Sequence, residues 1–275
     1  MDLKYELYIA DARDIIGSFD NNSIDLVVTS PPYYDMIGEI KWHNYEEFMF
    51  AMKQIFKEIY RVIKAGRVVA VNVPCDYKRK GKNYDIGIDF YNMMTSINFK
   101  SAEKIIWQKP SGYGGAHSCM KRFGNFIQRN YPFYYLPDRS WEFIWIMSKG
   151  RVRKPKITKE VEKSIVSLGP IQKRASTSIW SIPTSGAERK INGCITHPAM
   201  FNVELSNLVI QLYSLVGDVV LDPFAGSGTV GLSARKYNRN CILIEKERKY
   251  KELIKKKVGW YQNNLYGKNT YIVRE

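Results

Sequence analysis

Acidic residues are in short supply in this chain, and cysteine and histidine are scarcer still. Its 275 residues include 42 Lys and Arg against 27 Asp and Glu, a formal net charge of +15. Such an excess favours a polyanionic partner, with nucleic acid ahead of an anionic membrane surface; a solvated Lys-rich exterior is the plain alternative. The four cysteines (Cys75, Cys119, Cys194 and Cys241) form neither a C-x-x-C pair nor a disulfide-like framework, and only three histidines are present. No metal site is expected, and a reducing, cytoplasmic setting is. No run of 18 apolar residues occurs, which argues against a membrane-spanning helix, and the first residues lack a signal-peptide pattern. No internal repeat is visible.

What remains is a globular composition, 45% hydrophobic and 25% charged, long enough for one large α/β core with a smaller inserted region. Apolar, β-branched runs predict strands over 5–9, 24–28, 68–73, 103–107, 143–147, 218–221 and 241–245. Helical periodicity predicts helices over 44–64, 86–95, 202–215, 230–236 and 248–264. The first of these helices opens on Asn44 and Glu47, a capping-box pair, and is expected to stop at Gly66. Strands alternating with helices imply a doubly wound, mostly parallel α/β sheet. Residues 111–190 break the pattern. They are rich in Gly, Ser, Lys and Arg, with one core strand near 141–148, and read as basic insertions that contact the partner; mobile surface loops are the alternative. Arg151, Arg153, Lys154 and Lys156 are the candidates for that contact.

Two segments carry the chemistry. Thr29-Ser30-Pro31-Pro32-Tyr33-Tyr34 and Asp222-Pro223-Phe224-Ala225-Gly226-Ser227-Gly228-Thr229 each follow a buried strand, the place where open α/β sheets hold ligands. The second also satisfies G-x-G-x-x-G through Gly231, and Glu245 ends the next strand, where an acid suits ribose hydroxyls. That pattern alone fits NAD as well. Only one clear strand follows the glycine turn, however, whereas a dinucleotide domain needs several. Val73-Pro74-Cys75 offers a Pro-Cys pair of the kind used as a nucleophile on cytosine C5, but on a different strand, and Cys75 reads as a strand-end residue.

Together the two segments resemble the S-P-P-Y and D-P-F-x-G-S-G-T motifs of the amino-group (N4-cytosine or N6-adenine) DNA methyltransferases. The catalytic motif comes first and the cofactor motif last, which resembles the permuted β group found in restriction-modification systems. The resemblance implies a Rossmann-like fold, S-adenosyl-L-methionine (SAM) as cofactor and double-stranded DNA as partner, with no membrane. It divides the chain into a catalytic half (1–110), a target-recognition region (111–190) and a SAM-binding half (191–275).

Residue by residue, the resemblance gives Asp222 and the turn Gly226, Gly228 and Thr229 to the amino-acid end of SAM, Glu245 to its ribose and Phe224 to its adenosine. Asp11 is placed near the adenine, although an N-cap role explains it as well. His197 and Phe201 close over the methionine end. Ser30 and the Pro31 carbonyl accept hydrogens from the target amine, Pro32 stiffens the turn and Tyr33 stacks on a base rotated out of the duplex. Tyr34, Trp107 and Lys109 are candidates for the base pocket, Tyr34 and Trp107 equally for plain packing. Serine at the head of the motif points to cytosine N4, with adenine N6 the alternative. A catalytically silent nucleic-acid-binding protein on this scaffold, RNA methylation and an NAD-dependent dehydrogenase remain as other readings. Monomer or homodimer, and the presence of a cognate restriction endonuclease, are left open.

Overall fold

The computed structural model describes residues 2–34, 42–79, 82–109, 140–152, 158, 175–183, 201–260 and 269–275. Strands β1 (Lys4–Ile9), β2 (Ile24–Thr29) and β3 (Ile63–Pro74) are followed by a hairpin of β4 (Tyr77–Arg79) and β5 (Lys82–Tyr84). Then come β6 (Lys100–Gln108), β7 (Trp141–Ser148), β8 (Ile179–Ser181), β9 (Val219–Asp222), β10 (Asn240–Glu245) and β11 (Thr270–Arg274). The helices are α1 (Ala12–Ile15), α2 (Tyr45–Val62), α3 (Ile86–Ser96), α4 (Val203–Tyr213), α5 (Thr229–Lys236) and α6 (Lys251–Val258).

Apart from the hairpin, the strands form one nine-stranded sheet in the order β11-β1-β10-β9-β2-β3-β7-β6-β8. Neighbours pair in parallel from β11 to β3 and again between β6 and β8, while β7 runs antiparallel to both of its neighbours. The expected doubly wound, mostly parallel sheet is therefore present. The period-2 alternation of β2 shows how it is buried on both sides. Leu26 and Val28 join the core cluster that contains Leu205, Val209 and Val230 of α4 and α5. Val27 joins the opposite cluster with Phe48, Met52 and Ile59 of α2, as does Ile24, whose phase is changed by the irregularity between Ile24 and Leu26. Crossovers thus lie on one face beyond β2 and on the other around β9, and the switch point falls between β2 and β9.

Two expected boundaries move. Helix α2 ends at Val62, and Ile63 is already extended (ψ 139°) at the head of β3. Gly66 does not end the helix. It sits inside β3 at φ 81°, where its N–H donates to Lys149 O at 2.7 Å, close to a shift in the β2–β3 register. The last helix stops at Val258 because Gly259, at φ 81°, caps it left-handed and donates to the carbonyls of Lys255 and Lys256. At the start of α2, Asn44 accepts from Glu47 N at 2.7 Å, but Glu47 reaches back to His43 N rather than to Asn44. Among the described residues, no helix is long and apolar enough to cross a membrane, and no His/Cys/Asp/Glu group could hold a metal ion.

Candidate active site

The parallel pairing of β1, β10, β9 and β2 sets four carboxyl ends side by side, and the cleft lies across them. Its lining draws on Ala10, Asp11 and Arg13 after β1, Ser30 to Tyr33 after β2, Pro223, Phe224 and Gly226 after β9, and Glu245, Lys246 and Glu247 at β10, with Trp42, Met52 and Ile55 from the α2 side. Two segments almost 200 residues apart in sequence therefore form one wall. They are joined directly: Thr29 Oγ1 donates to Asp222 Oδ1 at 2.8 Å, and Phe224 N donates to the same oxygen at 3.1 Å.

All four expected catalytic residues, Ser30, Pro31, Pro32 and Tyr33, line the cleft, as do Asp11, Phe224, Gly226 and Glu245 of the expected cofactor residues. Glu245 is buried and braces the glycine turn, accepting from Gly226 N at 2.7 Å and Glu247 N at 2.8 Å. Carboxylate oxygens accept more than one hydrogen bond, so an acid so held also suits ribose hydroxyls. Asp11 is both N-cap and cleft residue. It accepts from Arg13 N, and its carboxylate is paired with the Arg13 guanidinium at 2.8 Å and Lys246 Nζ at 2.9 Å. The hydrogen bonds from Arg13, then those from Lys246, hold its carboxyl well below the usual range.

The other expected cofactor residues stand behind or outside the cleft. Asp222 is 3% exposed; burial pushes its carboxyl up to about 7, against the opposing pull of the Thr29 and Phe224 hydrogen bonds. Gly228 serves packing. Its φ is 80°, and a Cβ there would sit 3.0 Å from Ile254 Cγ2 and 3.2 Å from Ile254 Cα of α6. The Thr229 hydroxyl accepts from Lys257 Nζ at 2.8 Å, and Ser227 Oγ does so at 3.1 Å, so this lysine of the basic last helix is tied into the back of the turn. Phe201 packs at the entrance of α4 against the cluster containing Leu205 and Leu208. His197 lies outside the described residues.

Of the base-pocket candidates, Tyr34 and Trp107 pack in the core. Tyr34 is buried among Tyr45, Tyr77 and Tyr84, with ring centroids 5.2 to 6.3 Å away. Trp107 is buried and spends its indole N–H on Ile182 O at 2.7 Å. Lys109 is in the cluster beneath Tyr33. Its ammonium lies 4.9 Å over the Trp107 ring and pairs with Glu142, whose Oε2 accepts from Asn72 Nδ2 at 2.9 Å and from the Tyr33 hydroxyl at 3.3 Å. Burial raises the Tyr33 phenol pKa and the Glu142 charge adds to the rise, while a hydrogen bond from Ser30 opposes it. Glu142, Asn72 and Lys257 escape sequence reasoning because each sits in an ordinary strand or helix pattern with no motif spelling.

Strand direction sets Arg151 apart from the cleft. The β3–β7 register pairs Pro74 with Glu142 at the cleft edge and Val68 with Ser148 at the other. Six residues at about 3.3 Å each put the end of β7, and exposed Arg151 just beyond it, about 20 Å from the cleft edge. Arg153, Lys154 and Lys156 lie outside the described residues. By contrast, Lys109 N donates to Ser140 O at 2.6 Å at the cleft edge, so the chain leaves and re-enters the sheet there on either side of 110–139. Cys75 follows β3 and donates its thiol to Asp76 Oδ1 at 3.2 Å.

A family model described as DNA methylase, of the N6 and N4 type, matches residues 24–256. The chain is 28% identical to the type II methyltransferase M.ScaI of Streptomyces caespitosus, over 90% of this chain and 79% of that protein. It is 25% identical to the type II methyltransferase M.MjaI of Methanocaldococcus jannaschii, over 95% and 93%. Among solved structures, TTHA0409 of Thermus thermophilus aligns with a TM-score of 0.75 at 26% identity, over 98% of this chain and 100% of that one. The cytosine-N4-specific PvuII DNA methyltransferase shares the fold, with a TM-score of 0.73 at 22% identity over 97% and 90%.

Proposed function

The chain belongs to the N6/N4 DNA methylase family, and from that premise we propose that it methylates the exocyclic N4 of cytosine in a specific duplex DNA sequence, as the modification enzyme of a type II system. At the coarser level it is a SAM-dependent DNA amino-methyltransferase. The observation that supports the finer reading is Ser30 at the head of a Pro-Pro turn, in the same cleft as Phe224, Gly226 and Glu245. The cleft residues fit the cofactor: a buried acid at the end of β10 for ribose hydroxyls, an aromatic ring beside the glycine turn for the adenine, and a second acid after β1.

SAM supplies an electrophilic methyl group. The chain's own residues then have to make a poor nucleophile ready. Conjugation draws the amine's lone pair into the base ring, and acceptors on its hydrogens return it. The Ser30 hydroxyl oxygen and the Pro31 carbonyl are suited to that, because two prolines fix the turn and remove competing local N–H donors. The Tyr33 face stacks on the base once it is rotated from the duplex. Positioning and oriented dipoles supply the rate gain, with no covalent intermediate.

Target recognition falls to region 111–190. Lys109 and Ser140, which flank residues 110–139, lie at the cleft edge that carries Ser30, whereas Arg151 follows the other end of β7. The deciding experiment is to incubate the protein with SAM and mixed-sequence duplex DNA, digest to nucleosides and identify the product by mass spectrometry. N4-methylcytosine is expected. N6-methyladenine overturns the base assignment and keeps the enzyme class; SAM binding without any methylated DNA base brings RNA substrates and a silent scaffold forward.

A further inference from the structure

Glu142 is the second residue of β7 and 6% exposed, in register with Pro74 of β3 and Trp107 of β6 at the cleft edge. One strand and the segments that follow two others converge on its carboxylate. Oε1 is paired with Lys109, which follows β6; Oε2 accepts from Asn72 of β3 at 2.9 Å and from Tyr33, in the turn after β2, at 3.3 Å. Asn72 is itself held, its amide also donating to Phe143 O at 3.1 Å.

A buried ion pair is a poor source of stability. Desolvation offsets most of the attraction, and apolar side chains of similar size stabilise such positions as well or better. What an apolar residue at 142 lacks is a fixed acceptor for a phenol. Asn72 and Lys109 are anchored at strand ends, and Tyr33 belongs to the turn that must hold a base. The carboxylate therefore passes the rigidity of the sheet to the ring of Tyr33.

We propose that Glu142 is a positioning residue for methyl transfer, acting through its hydrogen bond to the Tyr33 phenol to fix the ring on which the target base stacks. The inference rests on the methyltransferase reading above. It adds a residue outside both motifs, on a strand of the antiparallel edge of the sheet.

The test is a double-mutant cycle of Glu142→Gln and Tyr33→Phe. The first keeps the size of the side chain and removes its charge; the second removes the phenol. Each lowers kcat at saturating DNA and SAM by about tenfold, the lower end of what a hydrogen bond to a charged group contributes. The double variant falls no further than the worse single one, and the SAM Kd is unchanged throughout. Multiplicative losses, or a wild-type kcat for Glu142→Gln, overturn the proposal. If Glu142→Gln does not fold, the paired replacement Glu142→Met with Lys109→Met, which removes the acceptor without leaving a buried charge unpaired, takes its place in the cycle. A second readout does not depend on turnover. In protein carrying fluorotyrosine, the ¹⁹F resonance absent from Tyr33→Phe shifts in Glu142→Gln; an unmoved resonance also overturns the proposal. A wild-type protein that methylates no DNA base would sink the functional reading, and the resonance would still decide whether Glu142 holds Tyr33.

Discussion

The Thr29 hydroxyl donates to the Asp222 carboxylate at 2.8 Å, joining the last residue of β2 to the last residue of β9 across the switch point of the sheet. Both residues are essentially buried, so the bond is shielded from water and fixes the relative position of the two turns that form the cleft. Thr29→Val keeps the shape and removes the donor. It should destabilise the protein by about 1–3 kcal/mol, the cost of leaving a buried polar group short of a partner, read as a lower urea midpoint with an unchanged slope.

The same acid makes a pH prediction. Asp222 titrates near 7 in the folded protein, against an ordinary value of 3.8. Between those values the folded state holds a proton that the unfolded state has lost. This site's contribution to stability therefore falls as pH rises from about 4 to about 7, and stays at its reduced value above that. A cationic ammonium bound beside the carboxylate would favour its charged form, so SAM affinity should strengthen as pH climbs through 7. It should weaken again as the ligand's amino group deprotonates, which for an α-amino group lies at about 7.7–8.0. Calorimetric titration across this range should give a maximum between the two values, with the acidic limb abolished in Asp222→Asn. A limb that survives the substitution would place the amino-acid end of SAM elsewhere.

Much of this site was legible in the sequence because local spelling dictates local geometry. A Pro-Pro turn after the buried run Ile24–Thr29, and Gly226 with Gly228 after β9, leave the backbone few alternatives, and both turns line or support the cleft as expected. What escaped is set by pairing across long separations. Tyr34 reads as part of the catalytic motif, but three other tyrosines, two of them on a short hairpin, enclose it. Glu142 sits in a strand whose sequence gives no sign that Tyr33, over 100 residues earlier, donates to it. The direction of β7, which carries Arg151 away from the cleft, is likewise invisible until its antiparallel register with β3 is known. Strand β11 is a five-residue run that finds its place only against β1.

Gly228 tests whether the shape of the glycine turn is set by packing or by the ligand. Its φ of 80° strains any L side chain, and the nearest atoms to a Cβ belong to Ile254, backbone included. Gly228→Ala should cost about 1–3 kcal/mol of stability, seen as a lower melting temperature. Ile254→Ala, which removes Cγ2, should not rescue it, because the Cα and Cβ of residue 254 remain in contact and the φ is unchanged. Rescue by Ile254→Ala would show that side-chain crowding alone sets the requirement.

Arg151 provides the sharpest test of how the sheet meets DNA. Each phosphate neutralised by a Lys or Arg contributes about 0.9 to the slope of log affinity against log salt concentration, so losing one contact lowers the slope by about one. With a net charge of +15, the whole protein should bind duplex DNA with a steep slope. Exposed beyond the end of β7, about 20 Å from the edge that carries Ser30, Arg151 is on the wrong side of the sheet for a duplex whose target base enters the cleft. Arg151→Ser should therefore leave both the DNA Kd and its salt slope at wild-type values, measured by fluorescence anisotropy between low and moderate salt. A slope reduced by about one would mean that the duplex wraps past the edge of the sheet. The basic stretch beginning at Arg151 would then be part of the recognition surface after all.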